Sequence, residues 1–330
     1  MKPKDTSTHY LLSSSPHTHA KTSVRALMLD VIIALAPAFA CSLWFFGLPA
    51  LWLTLTCVVS AVATEAACRK LMRRPQTIGD LSAVLTGLLL AFNLPPNLPL
   101  WMAAVGSAFA IAIAKQTFGG LGYNPFNPAL AARAFMLISF TGAMTTWSPS
   151  GWIAGIGSSA ADAVTSATPL SMLTKGVPHD MANSLLAKTL FVGNVNGCIG
   201  EVSALALLVG AAYLIFRKVI TWHIPVSFLG AMFLFAFFKY GANAEAVKLA
   251  EVHVLAGGAI LGACFMATDY VTSPITAKGK LIFGAGCGLL AMLIRFAPAY
   301  PEGVSFAILT MNAICPLINR WTQPKPFGRK

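Results

Sequence analysis

Charge is what this chain has least of. Only 10% of its 330 residues are Asp, Glu, Lys or Arg, against roughly a quarter in an ordinary water-soluble domain. With 56% hydrophobic residues and a mean hydropathy of +0.71, the chain cannot cover a water-facing surface, which excludes a soluble enzyme. Acidic residues are scarcest, 11 against 23 basic, for a net charge of +12. In a soluble protein that excess would suggest nucleic acid. Here the basic residues sit in short loops between apolar runs, which is a topology signal and predicts no nucleic-acid partner.

Paired metal-ligand spacing is also missing. The seven cysteines, at positions 41, 57, 68, 198, 264, 287 and 315, include no C-x-x-C pair and no Cys/His cluster. They lie in or beside apolar runs, where a free cysteine behaves as a small hydrophobe. A metal or iron–sulfur site within this chain alone is therefore not expected. The first 22 residues lack the apolar core of a cleavable signal peptide. Polar, and carrying His9, His17 and His19, they fit a cytoplasmic tail better than a metal site.

What the chain does have is long apolar runs. Ten are predicted to span a membrane, at 24–46, 49–67, 79–94, 99–115, 126–141, 199–216, 222–238, 252–268, 280–297 and 303–318; the third and fifth are short for a bilayer, which suits broken or partly re-entrant helices. The expected fold is an all-α polytopic membrane protein. Its domains are a cytoplasmic tail (1–22), a first five-helix repeat (23–141), an outward loop (142–198), a second five-helix repeat (199–318) and a basic tail (319–330). If the N-terminus is cytoplasmic and every span crosses, 17 of the 23 basic residues fall on the cytoplasmic side and 4 outside, with Arg133 and Arg295 inside spans. That imbalance predicts both termini inside and the 142–198 loop outside. Five spans on either side of the loop force the halves into opposite orientations, the arrangement of inverted repeats. Weak echoes agree, such as the stretch from Asp80 against that from Glu251, and Tyr123–Pro125 against Tyr300–Glu302.

Four segments interrupt the apolar pattern with Gly, Asn, Asp and Pro: 93–97, 118–128, 193–203 and 266–274. Non-helical backbone at membrane depth must be buried in protein or line a cavity, so each is either a ligand or ion site or a tight interfacial turn. Arg133, Arg295, Asp30, Glu65 and Glu201 lie in or near spans, where charge is costly and usually paired. Arg133 suits a phosphate, a carbonyl or a carboxylate partner. The long loop carries Asp162-Ala-Val-Thr-Ser166-Ala167-Thr168-Pro-Leu170, which by composition alone is an ordinary Ser/Thr-rich turn.

Taken together, Phe118–Pro128 followed by Ala-Leu-Ala-Ala-Arg-Ala, Gly200-Glu-Val-Ser203 and Ala267-Thr-Asp-Tyr-Val-Thr-Ser-Pro274 resemble the family that contains the D subunit of the Rnf electron-transport complex. The B subunit of the sodium-pumping NADH:quinone reductase belongs to the same family. The similarity runs from about residue 15 to the end and covers the Thr168 segment, with Ser166 where that family usually has glycine. It implies FMN joined through its phosphate to Thr168 by a flavin transferase, which reads Asp162, Ser166 and Ala167 as part of its signal. It further implies a second, non-covalent flavin (riboflavin or FMN) and a bacterial inner-membrane location with the loop in the periplasm. The implied partners are a second flavinylated subunit, two small membrane subunits and a soluble oxidoreductase subunit. The implied function is electron transfer between ferredoxin and NAD coupled to cation movement, as a subunit and not alone. The residues also suit a flavin-free inverted-repeat transporter or a purely structural anchor; the Asp162–Thr168 segment is what separates these readings.

Overall fold

The computed structural model describes residues 23–147, 170, 189–193, 197–201, 203–297 and 303–324. Among these residues every regular element is helical. The first half comprises α1 (Val24–Phe46), α2 (Leu48–Leu71), α3 (Ser82–Phe92), α4 (Leu100–Ile111) with a π-turn at Ala112–Gln116, α5 (Pro128–Ser139) and the short α6 (Thr141–Met144). The second half comprises α7 (Ala204–Phe216), α8 (His223–Lys239), α9 (Ala244–Leu255), α10 (Ala259–Leu261) running into a π-turn at Gly262–Met266, α11 (Ala277–Phe296) and α12 (Val304–Trp321).

Local chemistry fixes the helix starts. Ser23, Asn127, Ser203, Asn243 and Thr276 each accept a hydrogen bond from a backbone N–H in the first turn of α1, α5, α7, α9 and α11. Such caps satisfy donors that the helix cannot pair itself. Pro128 follows Asn127 at the first position of α5, where its missing N–H costs nothing. Pro225, expected inside a span, instead falls in the first turn of α8, so it breaks no ladder.

Among the described residues three helices, α1, α2 and α11, are long and apolar enough to cross a membrane, and the bent pair α9–α10 makes a fourth if counted as one span. Their outer faces are apolar: Leu29, Ile33, Leu55, Val59, Ile282 and Leu293 are exposed, in a surface suited to lipid and not to water. The helices α3, α4, α5, α7 and α8 are apolar but shorter. At 11 residues α3 reaches about 16 Å, half a bilayer core.

The expected span at 252–268 is wrong at its start. The helix begins at Ala244 and is broken at Gly257–Gly258, where the chain bends by 63°. Hydropathy misses α9 because it is amphipathic. Ala246, Leu249, Ala250 and His253 are buried at helical spacing, while Glu245, Lys248 and Glu251 face outward. The break needs glycine, since both Gly257 and Gly258 have left-handed backbones, at φ 66° and 64°.

Close helix contacts are made over small residues, as expected where lipid replaces water. A Cβ on Gly210 of α7 would fall 2.0 Å from the carbonyl oxygen of Ala34 on α1, at the seam between the halves. One on Gly288 of α11 would fall 2.4 Å from that of Phe228 on α8.

Several connecting loops meet each other at one end of the bundle. Arg74 Nη1 donates to Gly119 O (3.3 Å), Lys280 Nζ to Thr221 Oγ1 (3.4 Å), the Ile275 N–H to Asn319 Oδ1 (3.1 Å), and the Tyr270 hydroxyl to Val219 O. This end holds Arg69, Lys70, Arg73, Arg74, Arg217, Lys218, Lys278, Lys280 and Arg320, which make it the basic face of the bundle.

Candidate functional site

Asp162, Ser166, Ala167 and Thr168, the sequence-predicted flavin attachment segment, lie outside the described residues. Leu170, two positions beyond Thr168, is described and buried at 2% exposure. It meets the break between α9 and α10: a Cβ on Gly257 would fall 2.9 Å from Leu170 Cδ2 and 2.7 Å from Arg295 Nη2. Leu190 sits on the same stretch, packed with Val252 and Ala256. Arg295, in the last turn of α11, holds the break from beneath. Its Nη1 donates to His253 O and its Nη2 to Ala256 O (2.9 Å) and Gly257 O (3.0 Å). Leu170 and Leu190 of the loop that carries Thr168 therefore rest on the second half, at the end of the bundle away from the basic face.

The four polar interruptions of the sequence come together in pairs, each pair crossing between the halves. The N–H of Ile199 donates to Leu94 O (3.1 Å), and the Cys198 thiol donates to Asn93 O (3.3 Å). Asn127 Nδ2 donates to Met266 O (3.2 Å), while its Oδ1 caps α5. Arg133 lies between these junctions, with Nη1 donating to Asn93 Oδ1 and Nη2 3.7 Å from Cys198 Sγ. Asn93, Asn127, Arg133, Cys198 and Met266 are all buried. Half-helix α3 ends at this centre and α5 begins there, so both present backbone groups that would be unsatisfied in lipid. No sequence signal pairs these segments; only the fold does.

From this centre a cleft leads to the basic face. Leu27, Val31, Leu85, Leu89 and Phe265 supply apolar walls, and Asn124, Asn127, Thr268, Asp269, Ser82 and Lys115 supply polar groups. An apolar cleft with a few convergent polar side chains is the usual form of a cofactor site. Asp269 lies in the loop between the second π-turn and α11. Burial raises its carboxyl pKa, partly offset by hydrogen bonds from the Val271 N–H, the Thr272 hydroxyl and the Tyr270 N–H.

The floor of the cleft holds an ion pair that the sequence does not suggest. A linear reading puts Lys115 at an inner span edge. The π-turn, closed by the Thr117 N–H on Ala112 O, turns it inward to 2% exposure. Its Nζ lies 3.0 and 3.2 Å from the two carboxylate oxygens of Glu65, itself fully buried, and donates to Ser82 Oγ at 2.6 Å. Thr77 Oγ1 (2.8 Å) and Gln116 Nε2 (3.1 Å) donate to Glu65 Oε1. The available signal is Glu65 within an apolar run, since a buried carboxylate needs a cation. Among the described residues no group of three or more His, Cys, Asp or Glu could hold a metal ion.

The sequence profile of the NQR2, RnfD, RnfE family matches residues 11–328. The chain belongs to this family. Among its relatives is the D subunit of the Na(+)-translocating ferredoxin:NAD(+) oxidoreductase complex of Acetobacterium woodii, 50% identical over 319 residues, 96% of this chain and 95% of that protein. The D subunit of the proton-translocating ferredoxin:NAD(+) oxidoreductase complex of Clostridium ljungdahlii is 44% identical over 326 residues, 97% of each. The D subunit of the ion-translocating oxidoreductase complex of Escherichia coli K12 is 38% identical over 348 residues, 97% of this chain and 99% of that protein. Family membership agrees with the resemblance drawn from the polar segments, and places the central junction and the cleft in a chain aligned from end to end.

Proposed function

We propose that this chain is the D-type membrane subunit of an ion-translocating ferredoxin:NAD oxidoreductase complex of the Rnf kind, carrying electrons through flavins. The observation that carries this is end-to-end similarity, at 50% and 44% identity, to two subunits so named. One of those complexes is named for Na⁺ and the other for protons, so no ion is assigned. The chain works in the bacterial inner membrane with the other subunits: a second flavinylated subunit, small membrane subunits and a soluble iron–sulfur and flavin subunit.

Ten spans in two inverted repeats are part of the proposal. Two close contacts support it. A Cβ on Gly106 of α4 would fall 2.9 Å from Met136 Sδ on α5, and one on Gly286 of α11 would fall 2.8 Å from Met311 Sδ on α12. The same glycine-on-methionine contact thus joins the fourth and fifth spans of each half.

FMN is carried on Thr168, attached in the periplasm by a flavin transferase that reads Asp162, Ser166 and Ala167. The burial of Leu170 on the α9–α10 break supports a fixed site for that segment. A second, non-covalent flavin is placed in the cleft, whose residues fit it. Apolar walls suit the faces of an isoalloxazine, and Asn124, Thr268, Asp269 and Lys115 offer hydrogen bonds to its polar edge. Bound there, the flavin would supply one-electron transfer that side chains cannot. The protein orients the ring and keeps bulk water from its inner edge.

The test is ultraviolet in-gel fluorescence of the denatured chain, because only covalent flavin survives denaturation. Thr168→Ala is expected to abolish the signal while leaving the chain inserted and the complex assembled. Retained fluorescence, with loss in Thr165→Ala, would move the acceptor. No fluorescence in the unmutated chain, expressed with its transferase, would favour the flavin-free transporter.

A further inference from the structure

A hydrogen-bonded line runs from the cleft floor to the basic face. Lys115 Nζ donates to Ser82 Oγ (2.6 Å), and Ser82 Oγ donates to Asp80 Oδ1 (2.6 Å). Lys115 and Ser82 both line the cleft and are 2% and 3% exposed, while Asp80 is half-buried at the surface end. Asp80 is fixed by a second bond, from the Ser82 N–H (2.8 Å). Each group on the line both carries and passes a proton: an ammonium, a hydroxyl that rotates about Cβ–Oγ, and a carboxylate in reach of water.

We propose that Lys115, Ser82 and Asp80 form a proton relay that makes reduction of a flavin in the cleft draw its proton from the basic face. The inference rests on the placement of a flavin in the cleft under the proposed function. One electron arrives from a one-electron carrier of the complex and leaves the ring anionic. A proton then passes from Lys115 Nζ to a ring nitrogen, so an N–H bond breaks at the lysine and one forms on the ring. The neutral amine takes a proton from the Ser82 hydroxyl, which takes one from Asp80, protonated from water. Charge balance supplies the direction. While Lys115 is neutral, Glu65 is a fully buried carboxylate without its cation, and that state is strongly disfavoured. Reprotonation of the lysine relieves it. The charged groups around Lys115 are Glu65 and Arg69 on α2, Asp80 before α3 and Asp269 across the cleft. The line through Ser82 joins Lys115 to the Asp80 carboxylate; a second line leaves Lys115 through Glu65 to the half-buried Thr77.

The experiment uses the purified complex and two readouts: non-covalent flavin recovered in the acid supernatant, and the rate of the proton-coupled phase of that flavin's reduction from pH 6 to 9. Ser82→Ala keeps the ion pair and is expected to slow that phase by at least about tenfold; Ser82→Thr restores it. Glu65→Gln/Lys115→Met, which leaves no stranded carboxylate, slows the same phase at least as much in the flavin that stays bound. The midpoint potential, an equilibrium quantity, keeps its fall of about 59 mV per pH unit in each, the value for one proton per electron. An unchanged rate in Ser82→Ala or in the bound flavin of the double variant overturns the relay. Val31→Trp, which fills the cleft, separates the two readings. If non-covalent flavin persists there at wild-type content, the flavin is not in the cleft and the relay falls with it. If it is lost while Ser82→Ala keeps the wild-type rate, only the relay falls.

Discussion

At the scale of single residues, this bundle meets each buried charge with a different kind of partner. Glu65 has the ammonium of Lys115. Asp30 has Arg217 at 3.2 Å and the Tyr213 hydroxyl at 3.1 Å, near the basic face where Arg217 is half-exposed. Arg295 is held by three backbone carbonyls, and Arg133 by an amide oxygen beside a thiol. Unpaired carbonyls are plentiful where a helix ends or breaks, and Arg295 sits at such a place, under the Gly257–Gly258 break. Asp269 differs, being a carboxyl whose pKa burial raises. The folded state therefore holds its proton to higher pH than the unfolded chain, whose aspartates titrate near 3.9. The stability this contributes is complete below that value and is lost as pH rises through the raised folded pKa. Asp269→Asn should remove that slope. The gap between variant and wild-type unfolding midpoints in detergent should widen in the variant's favour from about pH 4 upward, then level off. A constant gap across that range would show that Asp269 titrates alike in both states.

At the scale of elements, the long apolar helices are legible in the sequence because hydropathy alone identifies them. The runs expected at 24–46 and 280–297 are α1 and most of α11. What is not legible has a common cause: it depends on which face of a helix meets protein. The amphipathic α9 reads as a loop, since its exposed Glu245, Lys248 and Glu251 dilute the average. Lys115 reads as a span edge, because nothing in a linear reading announces a π-turn. The polar interruptions are visible, but their pairing, 93–94 with 198–199 and 127 with 266, is not. Helix packing makes a prediction at this scale. Gly288 brings α11 against the Phe228 carbonyl, whereas a Cβ on Gly230 of α8 has nothing within 4 Å. Gly288→Leu should cost more than the 1–3 kcal/mol of ordinary overpacking, roughly 3 kcal/mol or above, because backbone and not a side chain must move. Gly230→Ala should be neutral or slightly stabilising, by up to about 1 kcal/mol. Size-exclusion of detergent-solubilised protein after graded heating measures both; equal losses would mean the α8–α11 contact does not govern stability.

For the whole molecule, sidedness decides what the relay and the flavin loop can do. The cleft, the Lys115–Ser82–Asp80 line and the basic loops lie at one end, and the Leu170 anchor on Gly257 lies at the other. The expected split of 17 basic residues against 4 is the ground for proposing that the basic end faces the cytoplasm. Protons for the cleft would then come from the cytoplasm, while the Thr168 flavin would sit on the periplasmic side. Electrons from a cytoplasmic donor would then have to cross outward and return inward to reach NAD. The buried arginine junction between the ends, at Asn93, Arg133 and Cys198, lies on the route between them. Orientation can be measured directly with single cysteines in a background whose seven native cysteines are replaced. Gln76→Cys lies on the exposed basic loop and should react with a membrane-impermeant maleimide only after the membrane is opened. Ser158→Cys, in the long loop, should react in intact cells, with detergent-opened cells showing the total available in case a partner subunit covers it. Reversed labelling at both positions would place the relay's mouth in the periplasm and the Thr168 flavin in the cytoplasm, and the proposed electron path would be untenable.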